Sequence, residues 1–223
     1  MIKDGTMKRI FCGWLAALAL LLFSPFLAAQ TALVVGQDYS VISPPMDTDN
    51  PAKIEVTMFF SFACGHCKEL DRQLPAWLKK LPADIEFKRV PVGFGNPFYQ
   101  LMARFYYALE AIGEIQRLDH AVFEALHDKG LRLIDEKSIK EWVAAQGVDE
   151  KKFHDAFNAF SVASKAKRGD QLVQAAKLSG VPTLVVDGHY LVLGKNAKTH
   201  AEMLVLTEKI IEKRRAERKT AKK

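Results

Sequence analysis

Apolar and polar positions follow two different rhythms along this chain. The run Ile54 to Phe60 (Ile-Glu-Val-Thr-Met-Phe-Phe) begins as an alternation and ends apolar, as a buried central strand does. After Ser61-Phe62-Ala63, residues Leu70, Leu74, Trp77, Leu78 and Leu81 recur at helical intervals on one face. Pro75 lies within that stretch and removes a backbone donor, which predicts one kinked helix. Ile85 to Val92 reads as a second strand, so the unit is β-α-β. From Pro97 to Leu178 the rhythm turns helical, over 101–112, 120–127, 138–145, 153–160 and 164–178, with breaks at Gly113, Gly130 and Gly147. Thr183–Val186 and Tyr190–Leu193 flank Asp187-Gly188-His189, a hairpin signal. A helix from Lys198 onward closes the chain, and 47–51 is a loop. The expected class is α/β, with a strand–helix frame over 30–96 and 179–211 and an inserted helical segment over 97–178.

The ends carry separate signals. Lys8 and Arg9 precede an uncharged run from Ile10 to Phe23, and Leu27-Ala28-Ala29 follows. That is the order of an export signal, expected to occupy 1–29 and to be cleaved after Ala29. The apolar run is about 14 residues long, short of the about 20 a spanning helix needs. Extended to Ala29 it reaches that length, so an uncleaved anchor is the alternative. Cys12 falls inside the signal without a lipobox before it and is discarded with it.

Of the 223 residues, 49% are hydrophobic and 26% charged, a globular balance that excludes disordered and low-complexity classes. The net charge of +6 is uneven: residues 209–223 alone carry +6 and 1–29 carry +2, which leaves −2 on the body. Nucleic-acid binding calls for a basic face on the folded body, so none is expected. The basic stretch over 212–223 reads as a solvated helix end, a tail with cations at the negative dipole pole, and weak affinity for an anionic membrane surface is the minority reading.

Three cysteines are too few for a stapled mini-fold or an all-cysteine zinc site. In the exported chain two remain, Cys64 and Cys67, at the junction of a strand and a helix. A helix start favours an anion, through unpaired N–H groups and the dipole. His66 can donate to the Cys64 sulfur or place positive charge beside it, and Cys67 can contribute its S–H or N–H. A thiolate so stabilised is a good leaving group, and the spacing permits a small-ring disulfide that passes readily to another thiol. Gly65 leaves the intervening turn a freedom that proline would remove. Metal ligation needs two further ligands, while His189 and His200 lie far along the chain with no matching spacing. A purely structural disulfide would constrain little in so small a loop. Redox catalysis is the expected chemistry. His120, His127 and His154 read as ordinary surface or core histidines.

The run Phe59-Phe60-Ser61-Phe62-Ala63-Cys64-Gly65-His66-Cys67, with the helical insert and Gly180-Val181-Pro182-Thr183, resembles the DsbA family of the thioredoxin superfamily over about residues 33–211. The resemblance implies a thioredoxin fold with an inserted all-helical domain. It implies Cys64 as the exposed attacking sulfur, Cys67 as its buried partner, and a cis peptide between Val181 and Pro182 packed against the disulfide. The Val181 loop, Phe62 and Ala63 become candidates for an apolar substrate surface, with main-chain bonds to an extended client. The implied enzyme is a monomeric periplasmic thiol:disulfide oxidoreductase acting on unfolded exported proteins. A DsbB-type membrane oxidase would reoxidise it. It would need no metal or organic cofactor, because the Cys64–Cys67 disulfide is the redox group. The alternatives are an isomerase or reductase kept reduced by a partner, and a non-enzymatic chaperone-like or metal-carrying module. Two departures from the family stand out. Gly65 replaces the usual proline, and Met58 replaces the acid that often lies under the buried cysteine, which leaves Asp71, Glu69 or water to handle the Cys67 proton.

Overall fold

Five strands build one mixed sheet in the order β1-β5-β4-β2-β3: β1 (Tyr39–Val41), β2 (Ile54–Phe60), β3 (Ile85–Pro91), β4 (Thr183–Val186) and β5 (Tyr190–Val192). The computed structural model describes residues 32–221, so the expected export signal, its cleavage site and Cys12 lie outside the described residues. Every residue of β2 is buried, which accounts for its apolar end. Its two polar members satisfy each other: Thr57 Oγ1 donates to Glu55 at 2.7 Å, and Glu55 also accepts the Asp49 N–H at 3.0 Å. β2 pairs with β3 in parallel, Ile54 opposite Ile85 through Phe60 opposite Pro91, as a helical crossover requires. β4 runs antiparallel to both β2 and β5. The β4–β5 turn holds Asp187 and Gly188 at φ +55° and +66°, the pair of left-handed residues a tight hairpin needs. β1 has no counterpart in the pattern reading, because three edge residues carry no detectable periodicity.

The crossover is two helices rather than one kinked helix: α1 (Gly65–Asp71) and α2 (Leu74–Leu78). Pro75 has no N–H to offer the carbonyl of Asp71, and the first helix ends there. Pro75 then sits in the opening turn of α2, where a missing donor costs nothing.

Between β3 and β4 the described chain is helical, through α3 (Pro97–Ala111), α4 (Ile115–His127), α5 (Glu136–Ala145), α6 (Glu150–Phe157) and α7 (Phe160–Ala175). These helices start two to five residues before the apolar periodicity does, and for α3, α5 and α6 a side-chain cap sets the start. Asn96 accepts the N–H groups of Phe98 and Tyr99 ahead of Pro97, and Asp135 and Asp149 cap α5 and α6 in the same manner. Phe160 opens α7 rather than closing α6, and it is 87% exposed. Residues from Leu33 onward form one compact unit. A chain of aromatic contacts crosses it, from Phe62 to Phe123 (centroids 5.0 Å apart), from Phe62 to Phe105 (6.1 Å) and on to Phe153 (5.8 Å).

The last helix, α8 (His200–Thr220), carries the basic stretch as a helix end, but its arginines are ion-paired to the body rather than left in solvent. Arg214 and Arg218 reach Asp187, which is 2% exposed at the hairpin turn, and Arg215 pairs with Asp84 at 2.7 Å. The basic run is an ion-paired clamp, and the expected boundary at 211 falls inside a continuous helix. Among the described residues no helix is long and apolar enough to cross a membrane.

Candidate active site

Cys64 is the N-cap of α1, with φ −99° and ψ 115°, and its sulfur accepts the N–H of Cys67 at 3.3 Å. A side-chain acceptor at this position satisfies an amide the helix itself leaves unpaired. Both cysteines are free thiols. The Cys64 thiol pKa is lowered to about 6, first by a hydrogen bond from the Cys67 thiol, then by the backbone amides of Cys67 and His66, and last by the His66 charge; burial opposes all of these. Cys67 has no exposed surface, and its thiol is pushed strongly upward by burial, with the shared hydrogen bond and the neighbouring Cys64 charge acting in the same direction. One sulfur is tuned to ionise and the other to keep its proton.

The bond between Val181 and Pro182 is cis, and the Val181 carbonyl accepts the Cys64 thiol at 3.4 Å. Val181, Pro182 and Ala63 are half-buried. Two expectations change here. Cys64 is only 8% exposed, because the Val181 loop closes over it. Phe62, expected on an apolar docking surface, is 1% exposed and faces inward against Phe60, Tyr106 and Phe123. An aromatic ring next to a core of other aromatic rings is drawn into it.

Gly65 occupies the first turn of α1, and a Cβ built there meets nothing within 4 Å. His66 projects outward with 77% of its side chain exposed, and its Nδ1 is 3.3 Å from Glu69. Met58 is fully buried. Arg89 lies beside it in register on β3, stacked 4.2 Å above the Phe60 ring. Asp71 is 7% exposed and pairs with Arg89 at 3.1 Å and His120 at 3.2 Å. Asp119 also pairs with Arg89, and burial pushes its carboxyl up to about 6.

Three residues gain a relation to the site that the sequence does not give them: Tyr99 stands out in no pattern, His127 reads there as an ordinary histidine, and His200 lacks a matching spacing. Tyr99, on α3, has its phenol pKa raised first by burial and then by the charges of the two sulfurs. His127 donates from Nε2 to the Phe62 carbonyl at 2.7 Å, bracing the segment that leads into Cys64. His200, far away in sequence, comes to 6.3 Å from the His66 ring. No spacing rule joins these positions to the motif.

The family profile described as DSBA-like thioredoxin domain matches residues 55–203. The chain belongs to the DsbA family. It is a thiol:disulfide oxidoreductase with a thioredoxin fold, as its relatives and structural neighbours indicate. The thiol:disulfide interchange protein DsbA of Bordetella parapertussis is 39% identical over 190 residues, covering 85% of this chain and 88% of the relative. DsbA of Pseudomonas aeruginosa PAO1 is 34% identical over 181 residues, covering 81% and 85%. The crystal structure of Pseudomonas aeruginosa DsbA superposes with a TM-score of 0.79 at 34% identity, covering 86% of this chain and 97% of that one. DsbA from Xylella fastidiosa gives 0.76 at 30% identity, covering 82% and 98%.

Proposed function

We propose that this enzyme oxidises client proteins by donating a Cys64–Cys67 disulfide. A client thiolate attacks Cys64 Sγ, the Cys64–Cys67 bond breaks, and Cys67 leaves and takes up a proton, which its raised pKa favours. A second client thiolate then attacks the client sulfur of the mixed disulfide, and Cys64 departs as a thiolate. Two electrons pass from the client dithiol to the enzyme, and no organic cofactor or metal enters the balance.

The observation that carries this reading is the opposed tuning of the two sulfurs. Cys64, held near 6, is a stable leaving group, so the reduced enzyme is favoured and its disulfide is passed on readily. His66 and the α1 amides stabilise the anion. Val181 and cis-Pro182 supply the main-chain edge for an extended client, with Ala63 and Val181 as apolar contacts. The clients are unfolded exported proteins, the compartment is the periplasm reached through the 1–29 signal, the enzyme acts as a monomer, and a DsbB-type membrane oxidase restores the disulfide.

The test mixes oxidised enzyme with a reduced, unfolded ribonuclease-type client. Client disulfides should form in step with enzyme reduction and vanish with Cys64→Ser. An intact Cys64–Cys67 disulfide that leaves the client reduced refutes the oxidase reading. Gly65 favours a second activity, since Cys-Gly-His-Cys is the pattern of disulfide isomerases. Recovery of a scrambled ribonuclease by the reduced enzyme alone would establish it.

A further inference from the structure

The starts of α1 and α8 bring together three side chains that the sulfur chemistry does not join. His66 and Glu69 are three residues apart on α1 and share a face. His200 is the first residue of α8. The Nδ1 atoms of His66 and His200 lie 3.3 and 3.8 Å from the same Glu69 oxygen. One ligand atom from each residue falls within 4.8 Å of the other two, and among the described residues no other cluster of this kind occurs.

Ligand atoms about 2.0–2.2 Å from a tetrahedral zinc ion are roughly 3.3–3.5 Å apart, so closing the set takes small side-chain rotations. His66 and Glu69 are free to make them, at 77% and 60% exposed, while His200 is the anchored member at 22%. The cluster lies in an open cleft of about 610 Å³, which leaves room for water in a remaining coordination position. Two imidazoles and one carboxylate suit zinc-class ions and not calcium or magnesium, which take oxygen ligands. Lys198, the one fully cationic side chain lining the cleft among the described residues, works against a tight site.

We propose that His66, Glu69 and His200 bind a single divalent transition-metal ion of the zinc class, tying the start of α1 to the start of α8 at the edge of the cysteine motif. Metal binding here does not depend on the direction in which the disulfide is used. An ion in this position holds the His66 ring and adds positive charge within the motif, so occupancy bears on Cys64.

The experiment uses untagged exported protein in its oxidised form, so that neither sulfur can coordinate, and titrates zinc chloride calorimetrically. One equivalent should bind, and His200→Ala and Glu69→Gln should each weaken binding ten-fold or more. The variants lie on different helices, so a folding defect in one leaves the other decisive. Zinc should also raise the thermal midpoint of the parent and not of His200→Ala. Absence of zinc binding by the oxidised parent, or less than ten-fold weakening in the folded variants, overturns the proposal.

Discussion

Cys64 owes its acidity first to its partner and only last to the histidine between them. The thiolate should therefore titrate with a midpoint of about 6, read from absorbance near 240 nm or from alkylation rate against pH. His66→Ala should raise that midpoint less than Cys67→Ala does; a larger effect of His66→Ala would reverse the order of causes. The folded thiol is more acidic than an unfolded one near 8.5, so the stabilisation of the reduced form is complete above that pH and is lost as pH falls through about 6. At pH 7 it amounts to about 1–2 kcal/mol. Urea unfolding of the reduced enzyme at pH 5 and pH 8 checks the sign. Gly65 sits beside this sulfur without a steric reason to be glycine. As a first-turn residue it accepts proline's fixed φ, so Gly65→Pro should raise stability by about 0.4–1 kcal/mol through the unfolded chain. A fall in the urea midpoint would contradict the open geometry.

At the scale of elements, the sheet and helices decide which residues stand under the site. Propensity alone predicts that Gly169→Ala should strengthen α7 by about 1 kcal/mol. The packing predicts the reverse: a Cβ at Gly169 would lie 2.5 Å from the Pro91 carbonyl of β3. A loss of about 1–3 kcal/mol is expected in thermal or urea unfolding. Arg89 of β3 holds two carboxylates, the buried Asp71 of α1 and the half-buried Asp119 of α4. Arg89→Met should cost about 3–5 kcal/mol at neutral pH, because Asp119 loses the cation it pairs with and Asp71 is left with His120 alone. Asp119 has its carboxyl pushed up to about 6, so the folded state binds the proton more tightly and burial of this group weakens the fold as pH rises from about 4 to 6. The Arg89→Met deficit should accordingly shrink below pH 6. A pH-independent deficit would assign it to lost packing on Phe60 instead.

For the whole molecule, the chain end matters more than its charge pattern suggests. Arg214 and Arg218 bring α8 back to Asp187 between β4 and β5, and Tyr190 donates to Glu217 at 2.7 Å. Deleting residues 212–223 leaves Asp187 buried without its cations, so the melting temperature should drop on the order of 10 °C. An unchanged melting temperature would restore the solvated-tail reading.

The amino-acid pattern by itself determined what depends on near neighbours. A strand running into a cysteine-capped helix, the Asp187-Gly188 hairpin and the wholly helical stretch before Val181 are set by contacts a few residues apart, and periodicity and turn chemistry record those. Helix starts were less readable, because caps such as Asn96 and Asp135 are single polar residues outside the apolar rhythm. Only the tertiary structure decided that Phe62 turns inward, that the Val181 carbonyl meets Cys64, that His127 braces the segment before the motif, and that His200 lands beside His66. These contacts join positions tens of residues or more apart. Sheet order and side-chain packing set them, and no local spacing encodes either.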